Sequence, residues 1–287
     1  MSRKKSIQQE KLQGLCGFER HYAQLYGERW ETLRNSLTAK KNDTEWFVSP
    51  ECRELPAYRL DRASVLAALS LPVRGAKNIL DMCAAPGGKS LVIASMMDGE
   101  ASLVCNERSH ERMMRLVRVV DEHMDKETRS RVSVACADGA KLCLKQTECY
   151  DRILLDAPCS SERHVISSET HLAKWSPSRT KTLAVAQWAL LSCAYRLLKA
   201  GGMLLYATCA LSPLENDGVV GRLQKKFGGV EFCDSVPFAM ESAEKAKAHF
   251  DGVLPPAERT EFGFHVLPDS ADGAGPLYFS LIKKTSL

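Results

Sequence analysis

Several signatures are missing from this chain, and each absence removes a class of protein. No C-x-x-C pair occurs among its 11 cysteines, and the two nearest, Cys143 and Cys149, have five residues between them. A paired-thiolate zinc site is therefore not expected, and no metal is assigned. No apolar run approaches the ~20 residues that a membrane-spanning helix requires. The basic N-terminus, MSRKKSIQQEKLQ, has no apolar core of the kind a secretory signal carries. Cysteines scattered through apolar stretches without such a leader read as reduced thiols, so a soluble cytoplasmic protein is expected, with mitochondrial residence as the alternative. Neither G-x-G-x-x-G nor G-x-x-x-x-G-K-[ST] is present, which removes the dinucleotide and Walker A loops. Internal repeats and low-complexity segments are also missing.

What remains is an ordinary globular composition, 45% apolar and 26% charged over 287 residues, with a net charge of +4 that permits a nucleic-acid partner without requiring one. Phe18, Tyr22, Leu25, Trp30, Leu33 and Leu37 recur at helical spacing across residues 6–40. Polar KKNDTEW and the two prolines of SPECRELPAY follow, which sets a boundary near residue 57 between a small helical extension, 1–57, and a larger domain, 58–287. Beyond it, KNILDMC, SLVCN, RVSVAC, DRILLDA and GGMLLYATC read as strands. Helices are expected near 60–71, 88–97, 109–125 and 179–199, the last ending at Gly201-Gly202. Strict alternation of this kind predicts an α/β fold, a mostly parallel doubly wound sheet. GVEFC, FGFHVL and LYFSLIKK read as strands that add an antiparallel edge. SPLE, residues 212–215, has the form of a capping box, which predicts a helix starting directly after Cys209.

Chemistry gathers at the predicted strand ends. ILDMCAAPGGKS runs from strand to acid to glycines to a helix-opening Lys-Ser. Ligands of doubly wound sheets sit at such ends, and Gly87 and Gly88 permit close backbone approach there. The candidate binding loop is Cys83, Ala84, Ala85, Pro86, Gly87, Gly88 and Lys89. A lone Gly-Gly turn is equally compatible with a plain strand-to-helix connection. Glu107 closes the second strand where ribose hydroxyls would lie, and Asp138 follows the third near an adenine edge. Each acid alone reads as a solvated strand-end carboxylate, but three successive fitting strand ends favour an adenosyl ligand. DAPCSSERH and YATCALSPLEN then place Cys159 and Cys209 at the mouths of two further strands.

The ordered series DMCAAPGGKS, NER, ADG, LLDAPCSS and YATCALSPLEN resembles the Nop/Sun family of S-adenosylmethionine-dependent RNA cytosine-5 methyltransferases. The resemblance spans about residues 58–223 and extends toward GPLYFSLIKK. FERHYAQLYGERWETLRNSL and DAPCSSERH look most like the branch with mitochondrial ribosomal and transfer RNA members. It implies a Rossmann-like class I methyltransferase fold and S-adenosylmethionine as cofactor. Cys209 is implied as the nucleophile, Cys159 as the residue that helps release product, and Asp156 as the acid facing the cytosine amino and ring nitrogens. DNA cytosine-5 methyltransferases attack with the P-C cysteine, so the local motifs alone leave the two roles open. A thiolate is needed because carbon 5 of cytosine is a poor nucleophile until sulfur adds at carbon 6. Lys89 is expected to add positive potential that lowers a thiol pKa, although a surface lysine reads the same way.

Arg112 is counted with the cofactor residues and also, with Arg108, Arg115, Arg118 and Lys126, as a possible phosphate track on the face of a helix. His164 lies in a loop expected to face substrate, where a surface role is the plainer reading. The implied partner is RNA, ribosomal RNA ahead of transfer RNA, with a helper protein for targeting, no membrane, and a monomeric chain. A catalytically inactive RNA-binding subunit is the alternative, opposed by intact Asp156, Cys159 and Cys209.

Overall fold

The alternating pattern builds a nine-stranded sheet flanked by helices. The computed structural model describes residues 13–39, 42–49 and 54–286; the helical reading of residues 6–12 lies outside the described residues. The chain begins with α1 (Gly14–Tyr26), α2 (Trp30–Thr38), β1 (Asp43–Trp46), β2 (Tyr58–Asp61) and α3 (Arg62–Leu69). The parallel part follows as β3 (Asn78–Asp81), α4 (Gly88–Ala94), β4 (Ser102–Glu107), α5 (His110–His123), α6 (Lys126–Ser130), β5 (Val132–Cys136) and β6 (Tyr150–Asp156). Next come α7 (Glu162–Ile166), α8 (Glu169–Ala173), α9 (Pro177–Leu197), β7 (Leu198–Thr208) and α10 (Asp217–Lys226). The tail supplies β8 (Val230–Phe232), α11 (Ala243–Ala248), β9 (Glu258–Arg259), β10 (Phe264–Val266) and β11 (Leu277–Lys284).

The sheet order is β5-β4-β3-β6-β7-β11-β10-β9, with β8 also pairing β11. Strands β3 to β7 are parallel and the tail strands antiparallel, which is the mixed edge expected from the sequence. Successive strand residues alternate between two cores. Ile79, Leu154 and Leu205 enter one, Leu80, Ile153 and Leu204 the other, all fully buried. That two-sided burial explains why the strands read as continuous apolar runs. Chain direction along the sheet reverses between β3 and β6, so the loops after those strands diverge and leave a crevice at their carboxyl ends.

A third core joins the N-terminal helices to the larger domain. Phe18 and Tyr22, one helical turn apart, pack with Trp30, Leu33 and Leu37 against Val165, Trp175, Leu211 and Leu267. The boundary expected near residue 57 falls between two paired strands, since Asp43–Trp46 lies antiparallel to Tyr58–Asp61.

Two local expectations are corrected. Helix α9 ends at Leu197 rather than at the glycines, and Leu198 already pairs with Tyr150. Gly201 and Gly202 lie inside β7, where Gly201 at φ +76° accommodates the register shift between Tyr150 and Arg152. Nor does SPLE open a helix: residues 213–216 form turns, and α10 starts at Asp217. Glu215, which a capping box would direct back to Ser212, instead accepts hydrogen bonds from Ser160 N and Gln187 Nε2, both at 2.9 Å. A buried backbone donor on a neighbouring loop has claimed the carboxylate.

Candidate active site

Two cavities open at the carboxyl ends of β3, β6 and β7. The first, about 340 Å³, is lined by Tyr58, Asp61, Asp81, Lys89, Asp156 and the loop Cys83–Pro86 with Gly88. Gly87 sits at φ +122°, and a Cβ there would come within 2.9 Å of Val119 Cγ1, so this loop position suits glycine alone. Asp81, which the sequence reading left out of the site, is the most informative residue here. Its Oδ2 accepts from Ser90 Oγ at 2.7 Å, whereas its buried Oδ1 has no partner. Burial, with the charge of Asp156 adding to it, pushes the carboxyl up to about 7 against the opposing Ser90 hydrogen bond. Burial likewise raises the Cys83 thiol, leaving it an inert wall of the cavity.

Glu107, Arg112 and Asp138 stand beyond that lining, at the next strand ends. Glu107 is buried and accepts from Ser109 N at 2.9 Å. Its Oε2 lies 3.2 Å from Arg112 Nη1, and Arg112 Nη2 donates to Ala85 O at 2.8 Å, so Arg112 ties β4 to the loop. Asp138 caps the turn Gly139–Leu144 by accepting from Ala140 N at 3.2 Å. Asn106, another residue without a signal in the sequence, donates to Met82 O and Ala137 O and thereby fixes three strand ends together. These bonds also thin the expected phosphate track: Arg112 is engaged, and Arg115 pairs with Glu111 at 2.7 Å.

The second cavity, about 360 Å³, shares Asp61, Ser64, Lys89 and Asp156 with the first and adds Ser161, Arg163, His164 and Cys209. Lys89 Nζ bridges the two, 2.8 Å from Asp156 Oδ2 and donating to Ser64 Oγ at 3.1 Å. Burial works against the Lys89 charge, but Asp156 and then Asp81 hold the ammonium above its ordinary value. Lys89 is thus a fixed cation between the cavities.

Parallel pairing of Asp156 with Ala207 delivers both cysteine loops to one spot. Cys159 Sγ and Cys209 Sγ lie 3.1 Å apart, with Ser161 Oγ at 3.5 Å and 3.3 Å from them. The two thiols diverge. A hydrogen bond from Cys159 lowers the Cys209 thiol, with burial opposing and Ser161 assisting. Cys159 is raised well above the thiol range, first by that same bond and then by burial and the Cys209 charge. Of the two, Cys209 is thus the thiol that gives up its proton more readily and Cys159 the one that holds it. The lowering expected from Lys89 is supplied chiefly by these nearer groups.

What holds the sulfurs together is a reciprocal pair of buried carboxylates. Glu215, from the Cys209 loop, grips Ser160 N, and Gln187 braces the arrangement by also donating to Pro158 O at 2.9 Å. Glu162, from the Cys159 side, accepts from Leu211 N at 3.0 Å, from Tyr22 Oη at 2.5 Å and from Ser160 Oγ. Tyr26 Oη adds a bond to Leu211 O at 2.9 Å. Residues of α1 are thus bonded to both loops.

Comparison with known proteins is consistent across residues 68–267, which match a family profile described as 16S rRNA methyltransferase RsmB/F. The chain is 34% identical over 230 residues to the mitochondrial tRNA (cytosine(34)-C(5))-methyltransferase of Danio rerio, covering 79% of this chain and 60% of that protein. It is 31% identical over 275 residues to the 5-cytosine rRNA methyltransferase NSUN4 of Bos taurus, covering 85% and 69%. Among solved structures, a methyltransferase homologue from Pyrococcus horikoshii shares the fold, with TM-score 0.69, 20% identity and 96% of each chain covered. NSun6 from the same organism, solved with SFG, gives TM-score 0.64 at 19% identity, covering 83% of this chain and 56% of that one.

Proposed function

The chain belongs to the RsmB/F methyltransferase family, and from that premise we propose that it transfers a methyl group from S-adenosylmethionine to carbon 5 of a cytosine in RNA through a covalent adduct on Cys209. The observation that carries this reading is the 3.1 Å contact between two thiols of opposite proton preference, opening on a cavity that adjoins a second one across Lys89 and Asp156. The cavity beside the loop Cys83–Gly88, the first described above, suits a cationic adenosyl cofactor, because a buried carboxylate oxygen, Asp81 Oδ1, stands there without a partner. Asp81, the loop Cys83–Gly88 and Lys89 would hold it, with Glu107, Arg112 and Asp138 supporting the outer end. S-adenosylmethionine brings an electrophilic methyl group to carbon 5.

The residues of the chain do the rest. The Cys209 thiolate forms a bond to carbon 6, and the displaced electron pair makes carbon 5 nucleophilic. Asp156, kept in place by Lys89, faces the amino and ring nitrogens of the base. Once sulfur is bonded to carbon 6, its charge is gone, and with it the two effects of Cys209 that raise Cys159. Cys159 then loses its proton to solvent and accepts the proton of carbon 5 as the S–C6 bond breaks. It hands a hydrogen bond back to the departing Cys209 sulfur, which restores the starting pair.

Ribosomal RNA is the substrate we favour, from the family profile and the bovine relative. Transfer RNA is the second reading, favoured by the Danio rerio relative. Relatives with mitochondrial in their names favour that compartment over the cytoplasm. Bisulfite mapping of RNA from cells with and without the chain tests all of this. Loss of one cytosine-5 methyl group in ribosomal RNA is expected; loss in transfer RNA alone selects the second reading, and an unchanged map rejects both.

A further inference from the structure

Arg163 is a buried cation of the second cavity, where its charge acts on those of Asp61 and Cys209. It follows Glu162 in α7, is only 8% exposed, and lines the cavity together with Cys209, Asp156 and Lys89. Its Nη2 donates to Gly273 O at 2.8 Å, which fixes the guanidinium against the loop before β11. Its Nε and Nη1 are buried with no acceptor at all. A guanidinium cannot shed its charge, and leaving its N–H groups unmet in a site withdrawn from water is costly. Such a group makes sense where a ligand brings the missing acceptor.

The substrate proposed above, on whose identity this inference rests, has a suitable one. Cytosine carries a donor at its 4-amino group and an acceptor at its 2-carbonyl oxygen. Asp156 suits the donor end, and Lys89 is already paired with Asp156 and Ser64. We propose that Arg163 donates to the 2-carbonyl oxygen of the cytosine that Cys209 attacks. Sulfur addition at carbon 6 shifts an electron pair from the C5=C6 bond toward carbon 5 and N3, and N3 shares it with that oxygen. The Arg163 contact therefore strengthens as charge develops, which is the condition for accelerating the chemical step rather than merely tightening binding.

The test uses the full chain and a transcribed RNA that it methylates. R163Q should lower kcat about 100-fold with the KM for RNA near the wild-type value, and R163K should recover only part of the loss because an ammonium lacks the planar fork. Replacing the target by 2-thiocytidine weakens the acceptor, so it should slow the wild-type chain strongly and R163Q hardly at all. A methylphosphonate beside the target should slow both equally. Two results would overturn the inference: R163Q raising KM at constant kcat, or the methylphosphonate masking the R163Q defect, each of which assigns the guanidinium to a phosphate. A shifted pH dependence of Cys209 alkylation in R163K would instead make it a thiolate partner. A wild-type chain inert on every RNA rejects the parent reading, whereas an active wild type with unaffected R163Q and R163K rejects this inference alone.

Discussion

The loops after β6 and β7 offer the same group, a cysteine just past a strand end, and the fold gives the two opposite chemical characters. Cys209 receives hydrogen bonds from Cys159 and Ser161 and is lowered, while Cys159 sits beside the resulting charge and is raised. Nothing intrinsic to a thiol separates them. The asymmetry belongs to the pair, and the buried carboxylates that bring the loops together create it. Identical residues at equivalent places can thus hold different roles when one contact decides which of them keeps the proton.

The strongest way to break the comparison is to remove each sulfur. Cys209→Ala should abolish methyl transfer, at least about 10³-fold, and form no covalent complex. Cys159→Ala should still attack and accept the methyl group but stall before elimination, accumulating an RNA-linked chain that a denaturing gel shows as a shifted band. The reverse pattern would exchange the two roles.

Next in size is the brace. Glu162→Ala strands the donors Tyr22 Oη, Ser160 Oγ and Leu211 N, and unfolding measurements should show a loss on the order of 3 kcal/mol. Glu162→Gln should recover part of it. Cys209 alkylation at neutral pH should slow in both variants, in the order of their instability, if the brace sets the sulfur contact.

A smaller change sharpens the comparison without dismantling it. Ser161→Ala removes one hydrogen bond to the Cys209 sulfur, worth about 1 kcal/mol, so alkylation at neutral pH should slow about five-fold and its rise with pH should move upward. An unchanged profile would leave Cys159 as sole source of the lowering.

The effect that depends on pH concerns Glu215, whose carboxyl is raised from 4.5 to about 7 by burial and then by Glu162. Because the folded chain binds this proton more tightly, the associated stability is complete below 4.5 and is lost as pH rises through 7. Glu215→Gln should flatten that slope, with Tm against the wild type gaining a few degrees between pH 5 and pH 8.

Part of the first cavity was legible because one wall of it, Asp81 to Lys89, is nearly contiguous, whereas Tyr58, Asp61 and Asp156 join it only after folding. Residues 83–89 declare a turn and a helix start in a single phrase, and a mostly parallel sheet followed from the alternation of elements. Asp81 was readable as a strand-end acid, but only burial marks it as a carboxylate awaiting a cation. The second cavity was less legible, since it takes lining from segments around 61, 89, 163, 208 and 276 that meet only after folding. Glu215 shows the limit best. Its spacing from Ser212 satisfies a local helix signal, and a long-range bond to Ser160 overrides it. Arg163 carries no local signal in SSERHV, and only its burial sets it apart.

The bonds from Tyr22 and Tyr26 to the cysteine loops bear on how such proteins recombine. A chimera that exchanges the first helices between relatives exchanges part of the catalytic scaffold, so a crossover near residue 57 also cuts between two paired strands. Any single crossover between Tyr26 and Glu162 parts α1 from both cysteine loops in the same way. Gene shuffling within this family should therefore yield more active enzymes when α1 travels with its own pair of thiols.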